Sequence, residues 1–224
     1  MIKFENTETY GWEAAIRGMR NPLNSWDKSD SYRCDDSCDE NCPYYERDCG
    51  FFFLGINDFD LMKRLRKAGT DHRKFLRMIG VTVDITAPRY WWSEFDTYKV
   101  GTVANSCSTM HKLMSKKFEI DDFSYEHLSD FSLRQLENLI SYLNLIRNTY
   151  LIVDKENAGA KGVWWQAIQL LPSSYNQKRT VSLNYEVLNN MYHARKNHKL
   201  DEWSIGFCKW VESLPYAQEL IIGE

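Results

Sequence analysis

No stretch of the sequence approaches the roughly 18 to 20 apolar residues in a row that a membrane-spanning helix requires, so no helical span is expected. The opening residues, MIKFENTETYGW, lack the apolar core of a secretory signal, and a soluble, cytoplasmic protein is the expectation. Surplus positive charge is missing too. With 31 acidic side chains against 28 Lys and Arg, the net charge is −3, and a general binder of long nucleic acids is not expected. Internal repeats, a transit segment and long low-complexity tracts are absent, which sets aside repeat arrays. Nor does any His/Cys/Asp spacing fix a catalytic triad. His111, His193 and His198 are readable as bases, but histidines of surface or core are commoner.

What is present suits one large domain, residues 1–224, with a sizeable core. The 8 Trp and 13 Tyr fit a packed interior, or a protein that stacks planar ligands or subunits. A short strand-like piece, Ile2 to Phe4, leads to a helix near Trp12 to Met19 with Trp12, Ala15, Ile16 and Met19 on one face. A helix over Asp58 to Lys67 places Leu61, Met62 and Leu65 inward. Thr70 or Asp71 then caps a second helix, HRKFLRMI. Val81 to Ile85 alternates apolar and polar residues and is the clearest strand. The following RYWWSEFDTYKVGTVANSCSTMHKL has no clean period and suits a site-forming segment better than a core element. Ser132 to Val153 is the longest helix, with a capping box of Ser132 and Gln135. KENAGAKG (155–162) reads as a flexible link before a short helix, Val163 to Leu171. A last helix, Lys199 to Leu214, buries Trp203, Phe207, Trp210 and Val211, with Cys208 as a small core residue.

Four of the six cysteines fall in CDDSCDENCPYYERDCG, within an acidic, inserted loop (31–50). Cys34, Cys38, Cys42 and Cys49 are spaced C-x3-C-x3-C-x6-C, near the range of structural zinc without matching a standard pattern. A zinc site, a reduced ligand-free loop and disulfides all remain open. Disulfides are the weaker reading, because nothing else indicates an oxidising compartment.

The stretch LLPSSYNQKRTVSLNYEVLNNMYHAR (170–195) organises the rest. Leu-Leu-Pro ends one helix, and a polar turn carries the basic pair Lys178 and Arg179. A second helix is expected from about Thr180 to His193, with Val181, Leu188, Met191 and Tyr192 as its apolar stripe. Asparagine is a poor helix former, so Asn184, Asn189 and Asn190 in one short helix mark either a solvated face or a ligand that needs amide donors.

Together these motifs resemble the flavin-dependent thymidylate synthases. That family has a helix ending in Leu-Pro, a turn, and T-V-N-x5-N-x4-R, followed by A-Q-W-E-I. Here Thr180-Val181 come slightly early, Asn184, Asn190 and Arg195 keep the spacing, and LDEWSIGF takes the last place. The resemblance implies that Asn184 and Asn190 lie in a flavin (FAD) pocket and that Arg195 contacts the pyrimidine of dUMP. It implies an α+β fold, a single helix-rich domain around a central, mostly antiparallel sheet. The family's R-H-R-x7-S-x-R, laid on EFDTYKVGTVANSCSTMHKL without gaps, puts Thr97, Tyr98 and Lys99 on Arg-His-Arg. Cys107 then stands on the serine and Thr109 on the last arginine; a one-residue slip puts Ser106 or Ser108 on the serine. NSCSTMHK and LLPSSYNQKRT look like signatures of a divergent, phage and Gram-positive type of this family.

Two phosphate-facing arginines of the motif are threonine here, which removes bidentate donors. Lys99 keeps one cation, and Lys178 or Arg179 supplies another. Cys107 is either a nucleophile toward a pyrimidine ring, its thiol activated by Lys99, or a small buried residue beside the strand. Three functions follow. One is a flavin enzyme that methylates or reduces a pyrimidine nucleotide. Another is a binding or sequestering protein that kept only the nucleotide pocket. The third is an interaction scaffold. The family is tetrameric, and Tyr90, Trp91, Trp92, Trp164 and Trp165 are expected to serve a homotetramer interface.

Overall fold

Val81, Val83, Ile85 and Ala87 alternate with Thr82, Asp84 and Thr86, and this period of two makes Gly80–Pro88 (β4) the central strand, apolar side buried. The computed structural model describes residues 2–33, 52–153 and 158–223. Strand β4 lies between β1 (Lys3–Tyr10) and a later nine-residue strand, Asn176–Asn184. A short strand, Val103–Ser106, pairs with the far side of the latter, and all three ladders are antiparallel. In chain order these are β1, β4, β5 (Val103–Ser106) and β6 (Asn176–Asn184), with a separate small ladder of β2 (Tyr32–Arg33) and β3 (Phe52–Phe53). The fold is α+β, helix-rich with a central antiparallel sheet, as expected.

Strand β6 corrects the expected helix from Thr180. Lys178, Thr180 and Ser182 alternate with Arg179, Val181 and Leu183, and the β-branched Thr180 and Val181 favour a pleated partner. Its pairing with β4 fixes the strand, and Val181 therefore faces the sheet's core. Asn184 ends it. Its side-chain oxygen accepts from the Val187 N–H at 3.0 Å and caps a helix over Tyr185–Arg195. Leu188, Met191 and Tyr192 do form the buried stripe of that helix.

Helices α1 (Trp12–Arg20), α2 (Ile56–Lys67) and α3 (Arg89–Phe95) pack on the sheet's apolar face. Segment α3 corrects two expectations, because Trp91, Trp92 and Phe95 are buried within the chain. They are core, and Trp91 stacks on Trp203 at 4.4 Å, so neither tryptophan is available to an interface. The C-terminal part is a wide turn of π-helix, Glu202–Phe207, running into an α-helical turn, Cys208–Glu212, rather than one regular helix. Trp203, Phe207, Cys208, Trp210 and Val211 are buried there.

A second core forms around α5 (Asp130–Ile152), α6 (Ala158–Leu170) and the turn after α4 (Thr109–Lys112), with Phe118, Phe123 and Leu171 between them. The cap of α5 is Ser129, whose hydroxyl accepts from the Ser132 N–H, so the box expected at Ser132 and Gln135 is displaced by one turn. Helix α6 starts at Ala158, inside the expected link, since Ala158, Ala160 and Lys161 outweigh the two glycines. The expected helix after Asp71 is only a short 3-10 turn, Lys74–Arg77. The helix after β6 is α7 (Tyr185–Arg195).

A buried ion pair ties α1 to α2. Asp58 is fully buried and Arg20 nearly so, with Arg20 Nε donating to Asp58 Oδ1 at 2.5 Å. The other carboxylate oxygen accepts from Ser29 Oγ at 2.8 Å, Ser31 Oγ at 2.7 Å and the Ser31 N–H at 3.0 Å. Arg20 spends its remaining donors on the carbonyls of Ser25 and Lys28. Burial disfavours the charge on Asp58, but the hydrogen bonds from Ser31, Ser29 and Arg20 outweigh it and hold the carboxyl below its ordinary value. Removing one partner strands the other charge, so Asp58→Asn should cost about 3–5 kcal/mol in urea unfolding at pH 7. A lowered folded pKa means the contribution is complete above the unfolded value of about 3.9 and fades as pH falls through the folded one. The gap between wild type and Asp58→Asn should therefore narrow only at strongly acidic pH.

Candidate functional site

Alternation along β6 sends Lys178 and Arg179 to opposite faces of the sheet. On the polar face, Lys178 stands opposite Thr86 of β4. Ser106, the last residue of β5, pairs with Arg179, so the next residue, Cys107, falls beside Lys178; its N–H donates to the Lys178 carbonyl at 3.0 Å. Three neighbouring strands thus place Thr86, Lys178 and Cys107 in a row. They form one side of a cavity of about 270 Å³ between the sheet's polar face and the second core.

The remaining walls come from the two stretches NSCSTMHK and LLPSSYNQKRT. Ser108, Thr109 and Lys112 line the cavity from the first, and Tyr175, Asn176 and Gln177 from the second. Ser108 caps α4, its hydroxyl accepting from the His111 N–H at 3.2 Å. Lys116, Asp121 and Asp122 complete the rim. Lys178 lies 3.1 Å from Glu5 and 3.3 Å from Asp84, which hold its ammonium above its ordinary pKa. Lys116 pairs with Asp122. Lys112 has no carboxylate partner among the described residues. The Tyr175 hydroxyl is pushed up to about 12, by burial first and then by the charge of Asp122, so at neutral pH it is a hydrogen-bond donor. The cavity therefore offers ammonium, hydroxyl and amide donors around an exposed thiol. Lys99 is exposed and does not line it; the cations that share the cavity with Cys107 are Lys112, Lys116 and Lys178.

A second group lies on the other face, along α3. Arg179 covers Trp92 at 4.2 Å, donates to Asp96 at 2.7 Å and to the Gln177 side chain at 3.1 Å. Gln177 in turn donates to the Cys107 carbonyl at 2.8 Å, linking the two faces around the strand end. Arg195, at the end of α7, donates to Tyr98 Oη at 2.8 Å and to Glu94 Oε2 at 2.5 Å, with its guanidinium 4.8 Å from the Trp203 ring. His198 also reaches Glu94, at 3.1 Å. Arg195 and Tyr98 therefore meet, while Cys107, Ser108 and Lys178 meet elsewhere. Ser106 shares the Arg179 face. Asn184 is spent on the α7 cap, Asn190 is exposed, and it is Asn189 that turns inward, donating to the Ile221 carbonyl at 2.5 Å.

Gln177, Glu94 and Asp96 were not expected at the site from the sequence, and Trp92 was expected at a subunit interface instead. Glu94 and Asp96 lie on the last turn and the C-cap of α3, a signal that becomes visible only once α3 is read as a helix. The four cysteines Cys34, Cys38, Cys42 and Cys49 lie outside the described residues. Among the described residues no group of three or more His, Cys, Asp or Glu side chains could hold a metal ion.

No protein-family model and no curated protein matches the sequence. Solved structures do. Flavin-dependent thymidylate synthase ThyX from Helicobacter pylori, complexed with FAD and dUMP, superposes with a TM-score of 0.62 at 17% identity, covering 98% of this chain and 97% of that one. A second structure of the same enzyme with FAD and dUMP gives a TM-score of 0.60, also at 17% identity, over 98% and 96%. The chain has the flavin-dependent thymidylate synthase fold. Likeness at this identity establishes the fold alone, and fold does not carry activity with it.

Two measurements check this geometry. Arg195→Lys keeps the charge but loses the fork that holds Glu94 and Tyr98 together, and should cost about 1–3 kcal/mol in urea unfolding. Iodoacetamide at pH 7 should label Cys107 in the native protein. Cys208 is buried and its thiol is pushed up to about 11, chiefly by burial, so it should label only after unfolding. Peptide mapping distinguishes the two.

Proposed function

We propose that this chain binds a pyrimidine nucleotide of the dUMP type in the cavity between Cys107 and Lys178, and that in the assembled protein it acts on that nucleotide by flavin-dependent methyl transfer or reduction. The observation that supports the binding is the convergence of NSCSTMHK and LLPSSYNQKRT on one cavity. Lys112 and Lys116 suit a phosphate as point charges, in place of the family's arginine forks. The Thr109 and Tyr175 hydroxyls can donate to the carbonyl oxygens that a pyrimidine presents. The fold neighbours that hold FAD and dUMP support the wider reading.

The cavity lies just below the usual range of ligand sites, about 300 to 1,000 Å³, and it suits a mononucleotide better than a dinucleotide such as FAD. The residues that the resemblance assigns to flavin do not form a pocket for it within one chain. Asn184 is committed to its cap, Asn190 is exposed, and Tyr98 is held by Arg195. Flavin therefore fits only if subunits complete the site. A homotetramer is part of the proposal. Its apolar surface is an exposed stripe on α5, Tyr142, Leu145 and Ile152, the last 84% exposed, at the spacing of a helix seam. The poor flavin fit favours a second reading, a nucleotide-binding or sequestering protein without redox chemistry.

Titration calorimetry with dUMP tests the binding. Wild type should bind, and Lys112→Ala should weaken binding by about tenfold, the loss of one charge-assisted contact. No heat with dUMP, or equal affinity in the variant, would sink the assignment. Absorbance near 450 nm in the purified protein, expected of bound flavin, separates the enzyme from the sequestering protein. A monomer mass by light scattering would remove the tetramer, and with it the route to a flavin site.

A further inference from the structure

A separate cavity shares no lining residue with the proposed nucleotide site. It is an open cleft of about 960 Å³ between α2 and the turns that follow α1. Lys28 stands on one wall, and Lys63, Arg64 and Lys67 on the other. One carboxylate, Asp60, lines it, and that carboxylate is taken by Lys63 at 2.6 Å. Arg20, at the base, is spent on Asp58 and on backbone carbonyls. Lys28, Arg64 and Lys67 are exposed and have no carboxylate partner among the described residues. Leu23 and Leu61 give the cleft an apolar part.

This is against the chain's average, in which acidic residues outnumber basic ones. Cations in the last turn of α2 complement the helix dipole, which accounts for some of them. It does not account for Lys28, which comes from another element and adds like charge to the same space. Lys63 and Lys67 are also i, i+4 and Arg64 and Lys67 i, i+3, arrangements that repel when unoccupied. An anion in the cleft adds an attraction to each of these cations that offsets their mutual repulsion.

We propose that the cleft between Lys28 and the Lys63–Arg64–Lys67 face of α2 is a second ligand site, for a small molecule that carries two or more linked phosphate groups. Lys28, Lys63, Arg64 and Lys67 gather on this cleft of a chain of net −3, and their short span suits a compact polyanion rather than a long one. The volume also accommodates an organic group on Leu23 and Leu61 beside the phosphates.

The probe is inorganic tripolyphosphate, titrated into the full chain by calorimetry at low and at raised NaCl. Binding at one site per chain is expected, weaker at higher salt. The triple variant Lys28→Ala/Arg64→Ala/Lys67→Ala should weaken it at least about tenfold, as lost charge-assisted contacts require. A charge-matched control, Lys196→Ala/Lys199→Ala/Lys209→Ala, should leave it unchanged. These positions are solvent-facing, and dUMP titration of the same variants reports separately on the other cavity. Absence of tripolyphosphate binding, equal binding by the triple variant, or loss in the control to the same degree would overturn the proposal. So would binding of a single-stranded oligonucleotide or of phosphatidylserine vesicles by a chain that ignores tripolyphosphate.

Discussion

The pairing of β4 with β6 is the constraint on which the rest depends. Nine consecutive residues match nine, from Gly80 opposite Asn184 to Pro88 opposite Asn176. Val81 against Leu183 and Val83 against Val181 bury one face, and a slip of β6 by one residue would turn Val181 and Leu183 toward solvent. Their burial removes that freedom. The ladder closes contacts about a hundred residues apart in sequence, so its loop-closure cost must be met by the apolar face and not by the turn. The polar face adds less: Thr180 to Asp84 at 2.6 Å and Lys178 to Asp84 and Glu5 are partly exposed pairs, of modest worth individually.

From that register the chemistry follows. Lys178 and Arg179 are adjacent in sequence yet serve different faces. Lys178 joins Thr86, Cys107 and the cations of the turn after α4. Arg179 joins Trp92 and Asp96, in line with the Arg195–Glu94–Tyr98 contact further along. Gln177 connects the two through its amide, and the Cys107 carbonyl on one side and Arg179 on the other fix which way that amide points. Lys178 sits on the ladder, and Thr109 and Lys112 on the helix that Ser108 caps, so these donors are preorganised for ligand recognition.

Much of the fold was legible because its signals were local. The period of β4, the stripes of α1 and α5, and the buried aromatics after Leu200 each lie within one short window. The start of α7 was not legible, because Thr180-Val181 sit in helical register with Leu188 and Met191, and only a distant partner strand decides for extended structure. Trp91 and Trp92 misled for a related reason. A large aromatic pair looks the same in sequence whether it meets Trp203 of its own chain or another subunit. Of the residues singled out, Tyr98 and Arg195 meet because α3 and α7 share a neighbour in Trp203. Cys107, Ser108 and Lys178 meet because β5 ends where the polar part of β6 begins. Neither fact is written in a spacing.

The central claim is that the cavity at the Cys107 end of the sheet takes a pyrimidine nucleotide. Hydrogen exchange with and without dUMP, read by mass spectrometry of peptides, tests it most directly, since backbone protection reports where a ligand sits without assuming a reaction. Slowed exchange should concentrate in residues 105–116 and 173–180, with the α2 cleft unchanged. Protection confined to other segments, or none at saturating dUMP, would contradict the account.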